Sequence, residues 1–154
     1  MTGATVRMTP RSTTSPRLAE LLCFAIYGAN LAYGRAYKAA LAKLGLTYTQ
    51  YIAILALGEN EGQTVSELGD RLFLESSTLT PTLKRLEAMG YVRRRRDTSD
   101  ERQVLLSLTD AGRGLHARGL GIDPIALSGL TATEFRQLHK RMSALRDTLH
   151  ESVL

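Results

Sequence analysis

The stretch SSTLTPTLKRLEAMGYVRRRRDTSDERQVLLSLT, residues 76–109, decides the fold of this chain. Its first half places apolar residues at spacings of three and four, which is the period of a helix with one buried face. We predict this helix over residues 75–90, with Gly90 as the residue that ends it. Its inward stripe is predicted to be Leu79, Leu83, Leu86 and Met89.

The second half of the same stretch changes to the pattern of a β-hairpin. Residues 91–96 and 103–108 are short segments of strand type, and the polar, acidic residues 97–102 between them form a predicted turn. A helix followed directly by a hairpin is the end of a winged helix-turn-helix when further short helices precede it.

Two such helices are predicted upstream. Thr47 caps one over residues 47–58, and Thr64 caps the other over residues 64–74. The predicted apolar face of the first consists of Ile52, Leu55 and Ala56.

Longer helices flank this region on both sides. Residues 18–44 are predicted as one helix, and Thr109 begins another that the pair Asp123–Pro124 breaks. Thr131 or Thr133 then caps a final amphipathic helix. Its apolar stripe is Phe135, Leu138, Met142, Leu145 and Leu149.

These elements predict a mainly α fold with a small β-hairpin. Residues 16–154 form a winged-helix domain in which residues 47–109 are the DNA-binding part. The flanking helices, at 16–45 and 110–154, have apolar stripes and no separate domain to cover, so we expect them to form a homodimer. Residues 1–15 are polar and rich in Thr and Ser, which predicts a flexible tail.

Composition excludes several classes of protein. Hydrophobic residues make up 44% of the 154 residues, and no apolar run approaches the roughly 18 residues of a membrane span. The start lacks the apolar stretch of a signal peptide, so we expect a cytoplasmic protein. Cys23 is the single cysteine, which excludes an internal disulfide and a cysteine-based zinc site. His116, His139 and His150 lack partners at metal-ligand spacing, so we expect neither a metal nor another cofactor.

Positive charge is concentrated in one window. The chain has 20 Lys and Arg against 15 Asp and Glu, a formal net charge of +5. Residues 84–96 hold six basic residues and one acid, Glu87, so this window accounts for the whole excess. A local stripe of this kind favours binding of a polyanion over general basicity.

We expect the window and its neighbours to contact double-stranded DNA. The predicted recognition helix offers short hydroxyls and two basic side chains, the strand offers arginines, and the hairpin tip offers an arginine long enough to enter a minor groove. Most of the affinity then comes from phosphates and depends steeply on salt. The candidate DNA-binding residues are Ser76, Ser77, Thr78, Thr80, Lys84, Arg85, Arg93, Arg94, Arg95, Arg96 and Arg102.

Two features of the hairpin have plainer alternatives. We call the predicted hairpin, residues 91–108, the wing. Asp100 is two residues before Arg102, and a pair between them supports the wing by orienting the guanidinium of Arg102. The alternative is an ordinary polar turn. The arginine run itself is alternatively a solvated charged face.

Cys23 lies on the first long predicted helix, where tyrosines share its stripe. Tyr27 is one turn away. Tyr37 is nearly four turns away, too far to touch Cys23 in its own helix, but it could meet the Cys23 of a partner packed antiparallel. Phenol donors stabilise a thiolate, and the thiolate is the form that reacts with peroxide. The alternative is that Cys23 is an inert, packed small residue.

The run TVSELGDRLFLESSTLTPTLKRLEAMGYVRRRRDTSDERQVLLSLTDAGR, residues 64–113, resembles the winged-helix core of the MarR family of bacterial transcriptional regulators. Asp-Glu-Arg at 100–102 and Leu-x-Leu-Thr at 106–109 are similar to that family's wing motif. Within the family, LCFAIYGANLAYGRAY at 22–37 and LTYTQY at 46–51 are similar to the organic hydroperoxide resistance regulators.

This resemblance implies a homodimeric repressor that leaves an inverted-repeat operator when organic hydroperoxide oxidises its sensor cysteine. Cys23 matches the sensor, and Tyr27, Tyr37 and Tyr48 match the tyrosines that hydrogen-bond it. With one cysteine the chain resembles the subtype in which a small cellular thiol caps the oxidised residue or overoxidation follows. Ser77 departs from the family pattern, in which glycine is common in the recognition helix.

Other functions stay open on the sequence alone. One is a MarR-type regulator that a small aromatic ligand releases, with Cys23 only structural. A thiol peroxidase needs a resolving cysteine, or an Arg or His beside Cys23, and the sequence offers neither, so we expect no enzyme. A structural dimer with a basic face is the last alternative.

Overall fold

The structure is a computed structural model that describes residues 17–152. The predicted tail at 1–15 and the predicted cap at Ser15–Pro16 lie outside the described residues. The elements in chain order are a 3-10 turn at Leu18–Glu20, α1 (Leu22–Ala42), α2 (Tyr48–Glu59), α3 (Val65–Leu72), α4 (Ser76–Ala88), β1 (Val92–Arg96), β2 (Val104–Leu108), α5 (Asp110–Gly119), α6 (Pro124–Ser128) and α7 (Ala132–Glu151). A mainly helical chain with one antiparallel hairpin is therefore confirmed.

The described residues fall into two compact units. One contains residues 34–123, and the other contains residues 17–33 together with 124–152. The first unit holds α2 to α5 and the hairpin, which is the winged-helix part. In the second, α6 packs on α7. Over residues 17–152, no helix combines the length and the apolar character that crossing a bilayer requires.

The core of the winged-helix unit is built mainly from leucines. The predicted stripe of α4 is confirmed at three positions, because Leu79, Leu83 and Leu86 are fully buried. Met89 is a correction, since it follows the helix as its C-cap and is 40% exposed. The other fully buried large side chains are Leu41, Ile54, Leu57, Leu68, Leu106, Leu108 and Leu115.

The buried face of α2 differs from the predicted one. Ala56 is buried as expected, but Ile52 and Leu55 are only half-buried, whereas Ile54 and Leu57 are fully buried. The reason is that α3, α4, α5 and β2 all pack on α2. A helix covered on several sides has no single apolar stripe, so the helical period does not indicate its inner face.

Threonines cap four of the helices. Backbone N–H groups donate to the side chains of Thr47, Thr64, Thr109 and Thr131, each from the residue three positions later, at 3.3, 3.2, 3.0 and 3.3 Å. The predicted caps at Thr47 and Thr64 are confirmed, as is the predicted helix start at Thr109, and Thr131 rather than Thr133 caps α7. Each hydroxyl satisfies one N–H that the first turn of a helix leaves unpaired.

The single helix predicted over residues 18–44 is wrong at both ends. Leu21 has extended backbone (φ −80°, ψ 120°) and separates the 3-10 turn from α1. At the other end α1 stops at Ala42, and Gly45 follows with φ +68°, a conformation that favours glycine. The apolar content of this segment extends beyond its helix, which is why composition overstates the helix length.

The hairpin is regular, and a third segment extends it. Val92 pairs with Leu108, and Arg96 pairs with Val104. On the other edge of β2, Gly62 donates its N–H to the Leu106 carbonyl at 2.8 Å, and Leu106 donates to the Gln63 carbonyl at 2.8 Å. This isolated bridge ties the start of the α3 region to the hairpin, and the sequence did not predict it.

Candidate nucleic-acid interface and cysteine site

The exposed side of α4 is the first part of the candidate interface. Ser76, Ser77 and Thr78 lie exposed in its first turn, and the cap residue Glu75 makes no side-chain capping bond there. Thr80 is half-buried, so it is the least accessible of the predicted hydroxyls. Because the leucine stripe holds the opposite side of α4 in the core, the hydroxyls of Ser76, Ser77 and Thr78 face solvent at the start of the helix.

The basic side chains of α4 lie further along the same helix. Lys84 and Arg85 are both exposed. Pro81, also exposed, lies inside the helix between the hydroxyls and these cations. The structure thus leaves the predicted hydroxyl and basic residues of α4 exposed, except for the half-buried Thr80.

The four arginines of β1 do not share a face. Side chains alternate along a strand, so Arg93 and Arg95 project to one side and Arg94 to the other. Arg93 and Arg95 are exposed, and Arg93 Nε donates to Ser107 Oγ at 3.4 Å. Arg96 is exposed at the end of the strand. Arg94 is half-buried, and its Nε lies 3.1 Å from Oε2 of Glu87 on α4.

The tip of the hairpin is held by aspartates. Asp100 Oδ1 accepts from the backbone N–H of Arg102 at 3.1 Å, and its Oδ2 accepts from Gln103 Nε2 at 3.4 Å. Asp100 therefore contacts Arg102 through the backbone rather than through the predicted guanidinium, because a carboxylate two residues earlier closes a local turn. Asp97 Oδ1 accepts from the backbone N–H of Ser99 at 3.0 Å, and the bonds from Ser99 lower the pKa of Asp97. Arg102 itself is exposed.

Cys23 belongs to the second unit. It lies exposed in the first turn of α1. One turn later, Tyr27 stacks on Phe24, with ring centroids 6.4 Å apart. Both rings are largely exposed, Phe24 to 41% and Tyr27 to 59%. Across residues 17–152, no three His, Cys, Asp or Glu side chains are placed to share a metal ion.

The other predicted tyrosines form a cluster in the winged-helix unit. The Tyr37 ring lies 5.2 Å from that of Tyr48 and 5.8 Å from that of Tyr51. Tyr51 is buried and donates its hydroxyl to the Gly119 carbonyl at 3.3 Å. Burial, and then the neighbouring Tyr48, raise the pKa of Tyr51. The structure thus joins Tyr37 and Tyr48, and a site that also includes Cys23 and Tyr27 stays a prediction.

These features define the class of protein. A buried helix-turn-helix core with an exposed, hydroxyl-rich and basic last helix, followed by an arginine-rich hairpin, is the architecture of a winged-helix transcriptional regulator. The family model of the transcriptional regulators SarA/Rot matches residues 35–118. The chain belongs to this family, as a MarR-type winged-helix regulator, and is not an enzyme.

Two curated relatives are similar over most of the chain. The HTH-type transcriptional regulator TtmR of Methylorubrum extorquens is 52% identical over 134 residues, which cover 84% of this chain and 67% of the relative. The organic hydroperoxide resistance transcriptional regulator of Bacillus subtilis is 40% identical over 137 residues, 88% of this chain and 93% of the relative.

Solved structures agree with this assignment. Reduced AbfR bound to DNA has a TM-score of 0.75 at 36% identity, covering 89% of this chain and 95% of AbfR. Disulfide-formed AbfR has a TM-score of 0.61 at 38% identity, covering 83% of this chain and 91% of AbfR. AbfR is a protein of Staphylococcus epidermidis. A mutant of Escherichia coli MarR in complex with operator DNA has a TM-score of 0.74 at 25% identity, covering 85% of this chain and 99% of MarR.

Proposed function

We propose that this regulator is a repressor that binds an inverted-repeat operator as a homodimer and leaves it when organic hydroperoxide oxidises Cys23. The observation that carries the proposal is the 40% identity across 93% of the Bacillus subtilis organic hydroperoxide resistance regulator, combined with an exposed single cysteine at the start of α1. A sensor thiol has to be reachable by its oxidant, and in the single chain the Cys23 side chain is exposed.

The DNA-binding half of the proposal assigns α4 to the major groove. Its exposed start, with Ser76, Ser77 and Thr78, offers hydroxyls and N–H groups to phosphates and base edges, and Lys84 and Arg85 follow on the same helix. The wing continues the contact along the backbone. Its proposed contributions are Arg93, Arg95 and Arg96 for phosphates, Arg102 for the minor groove, and Asp100 for holding the tip.

The homodimer is supported by apolar side chains that the single chain leaves exposed. Tyr27 and Leu31 on α1, and Leu138, Met142 and Leu149 on α7, are each between 38% and 59% exposed. Soluble proteins rarely leave so many large apolar side chains on two helices uncovered, and such surfaces mark interaction sites. We propose that a second copy of the chain covers them, as an inverted repeat with two half-sites requires.

The redox half is a two-electron oxidation at sulfur. The Cys23 thiolate attacks the terminal oxygen of the hydroperoxide, and the O–O bond breaks to give a sulfenic acid and an alkoxide. The alkoxide takes a proton from water and leaves as the alcohol. A small cellular thiol then condenses with the sulfenic acid, releasing water and leaving a mixed disulfide, or further peroxide overoxidises the sulfur. Tyr27, Tyr37 and Tyr48 are the proposed donors that hold the thiolate, the last two from a partner.

Release of a labelled operator by cumene hydroperoxide tests the proposal. We expect the wild-type protein to lose the DNA, and Cys23→Ser to keep it. Cumyl alcohol, the reduced form of the same molecule, is the matched control and should release neither protein. Release of Cys23→Ser by the hydroperoxide overturns the redox step. Release by cumyl alcohol favours the alternative regulator, in which a small aromatic ligand acts and Cys23 is structural.

A further inference from the structure

Arg94 is placed unlike the other arginines of the wing. Its register partner on β2 is Leu106, which is fully buried, and Val92 on the same face of β1 is buried as well. Side chains of paired residues project to the same side of a sheet, so Arg94 is directed toward the interior side of the hairpin. Its side chain is 27% exposed. This orientation turns it away from the face that carries Arg93 and Arg95.

Glu87 is the charge that Arg94 meets there. It lies in the last turns of α4, one turn after the buried Leu83, and its side chain is 41% exposed. The Nε and Nη2 atoms of Arg94 are shielded from solvent and make no hydrogen bond of good geometry within residues 17–152. A guanidinium that has lost water at two nitrogens depends on a neighbouring carboxylate for compensation of its charge.

We propose that Arg94 is a positioning residue, which fixes the wing against α4 through Glu87 and does not itself touch DNA. The inference rests on the proposed DNA binding and refines which arginines perform it. Only residues 89–91 join α4 to β1, and Gly90 among them has φ +78°. Leu86 of α4 and Val92 of β1 also share the buried core, and the Arg94–Glu87 pair adds a charged contact to this packing. We infer that the pair helps to set the direction in which the wing leaves the helix.

A phosphate contact by Arg94 and a positioning role for Arg94 predict opposite effects of Glu87→Gln on DNA affinity. If Arg94 contacts phosphate, Glu87→Gln removes a repulsive charge near the DNA and tightens binding. If Arg94 positions the wing, Glu87→Gln loosens the wing and weakens binding. The sign of this one change therefore separates the roles, and Glu87 is exposed enough for the variant to fold.

A double-mutant cycle supplies the full test. The probe is a labelled duplex that the wild-type protein selects from a random-sequence pool. We expect Glu87→Gln and Arg94→Gln each to weaken binding about five-fold, and the double variant to be no weaker than either, since residues in one ion pair couple strongly. We also expect Arg94→Gln to leave the salt slope of binding unchanged, whereas loss of a phosphate contact lowers it by about 0.9.

Failure of the proposed DNA binding and failure of the positioning role of Arg94 give different results. If the wild-type protein selects no duplex, DNA binding itself is wrong. If it selects one and Glu87→Gln binds more tightly, or the two single effects add, then Arg94 is a DNA contact and the positioning role is overturned. Thermal unfolding of each variant shows whether the winged-helix unit is intact, and Glu87→Gln alone decides by its sign if Arg94→Gln does not fold.

Discussion

Gly112 lies against the backbone of Tyr91 so closely that a Cβ at Gly112 would be 2.0 Å from the Tyr91 carbonyl oxygen. That oxygen cannot easily move, because it accepts the backbone N–H of Thr109 at 3.0 Å. We therefore expect Gly112→Ala to lower the free energy of unfolding by about 3 kcal/mol, from overpacking at the contact between α5 and the wing. Urea unfolding followed by circular dichroism measures the change.

The same helix offers a matched control. A Cβ at Gly114 would meet nothing within 4 Å, and Gly114 is exposed. Alanine is the better helix former by about 1 kcal/mol, so we expect Gly114→Ala to raise the free energy of unfolding by up to that amount. Equal effects at the two positions would mean that helix propensity, and not the contact with Tyr91, determines the result.

Much of this fold follows from local sequence, since the elements depend on local signals. Thr47, Thr64 and Thr109 each satisfy an N–H at a helix start, and the change of period after Gly90 marks the hairpin. The bridge at Gln63 has no such signal. It consists of backbone bonds that form only when the chain before α3 lies beside β2, and no side-chain pattern encodes that proximity.

The candidate site was harder to predict because its residues depend on tertiary surroundings. Arg93 and Arg94 are equivalent as members of a basic run, and only the strand period separates them onto two faces. Asp100 was expected to pair with the Arg102 guanidinium, but the backbone N–H of Arg102 is nearer in a tight turn. For Cys23 and the predicted tyrosines, a partner chain is part of the proposed site, so one chain does not determine it.

The wing arginines give a prediction about salt. Arg93 and Arg95 are exposed on the outer face of β1, so Arg93→Gln and Arg95→Gln should each remove one phosphate contact. We expect each to weaken binding to the selected duplex and to lower the slope of log affinity against log salt by about 0.9. Titrations by fluorescence anisotropy at several salt concentrations provide the slope.

Arg136→Gln is the control for these two variants. Arg136 is exposed on α7 and is not one of the proposed DNA-binding residues. Its replacement by glutamine removes one positive charge, as the replacements of Arg93 and Arg95 do. We expect its salt slope to match the wild-type value. An equal fall in slope for all three variants would show that binding responds to net charge alone, and the wing would lose its assignment as a contact surface.

The capping box of α3 gives a prediction about acid. Glu67 Oε2 accepts from the backbone N–H and the hydroxyl of Thr64 at 2.7 and 3.0 Å, and these bonds, the backbone one first, lower the pKa of Glu67. A lowered pKa in the folded state means stabilisation that is present above the unfolded pKa of about 4.3 and is lost as the pH falls through the folded value.

Glu67→Gln removes this dependence on pH. We expect the wild-type protein to be the more stable of the two above about pH 5, and the difference between them to shrink as the pH falls below about 4. Carbon-detected NMR titration of the Glu67 carboxyl measures its pKa directly. A midpoint at or above the ordinary glutamate value would contradict the contribution of the Thr64 bonds.

The fate of oxidised Cys23 gives the last prediction. Because Cys23 is the only cysteine, a sulfenic acid formed on it has no intramolecular thiol to condense with. We expect the intact mass after one equivalent of cumene hydroperoxide to rise by one oxygen atom, and after added glutathione to rise instead by one glutathionyl group. Excess peroxide without thiol should add two or three oxygen atoms. Retention of the unmodified mass under all three conditions would show that the exposed thiol does not react with peroxide and would leave Cys23 as a structural residue.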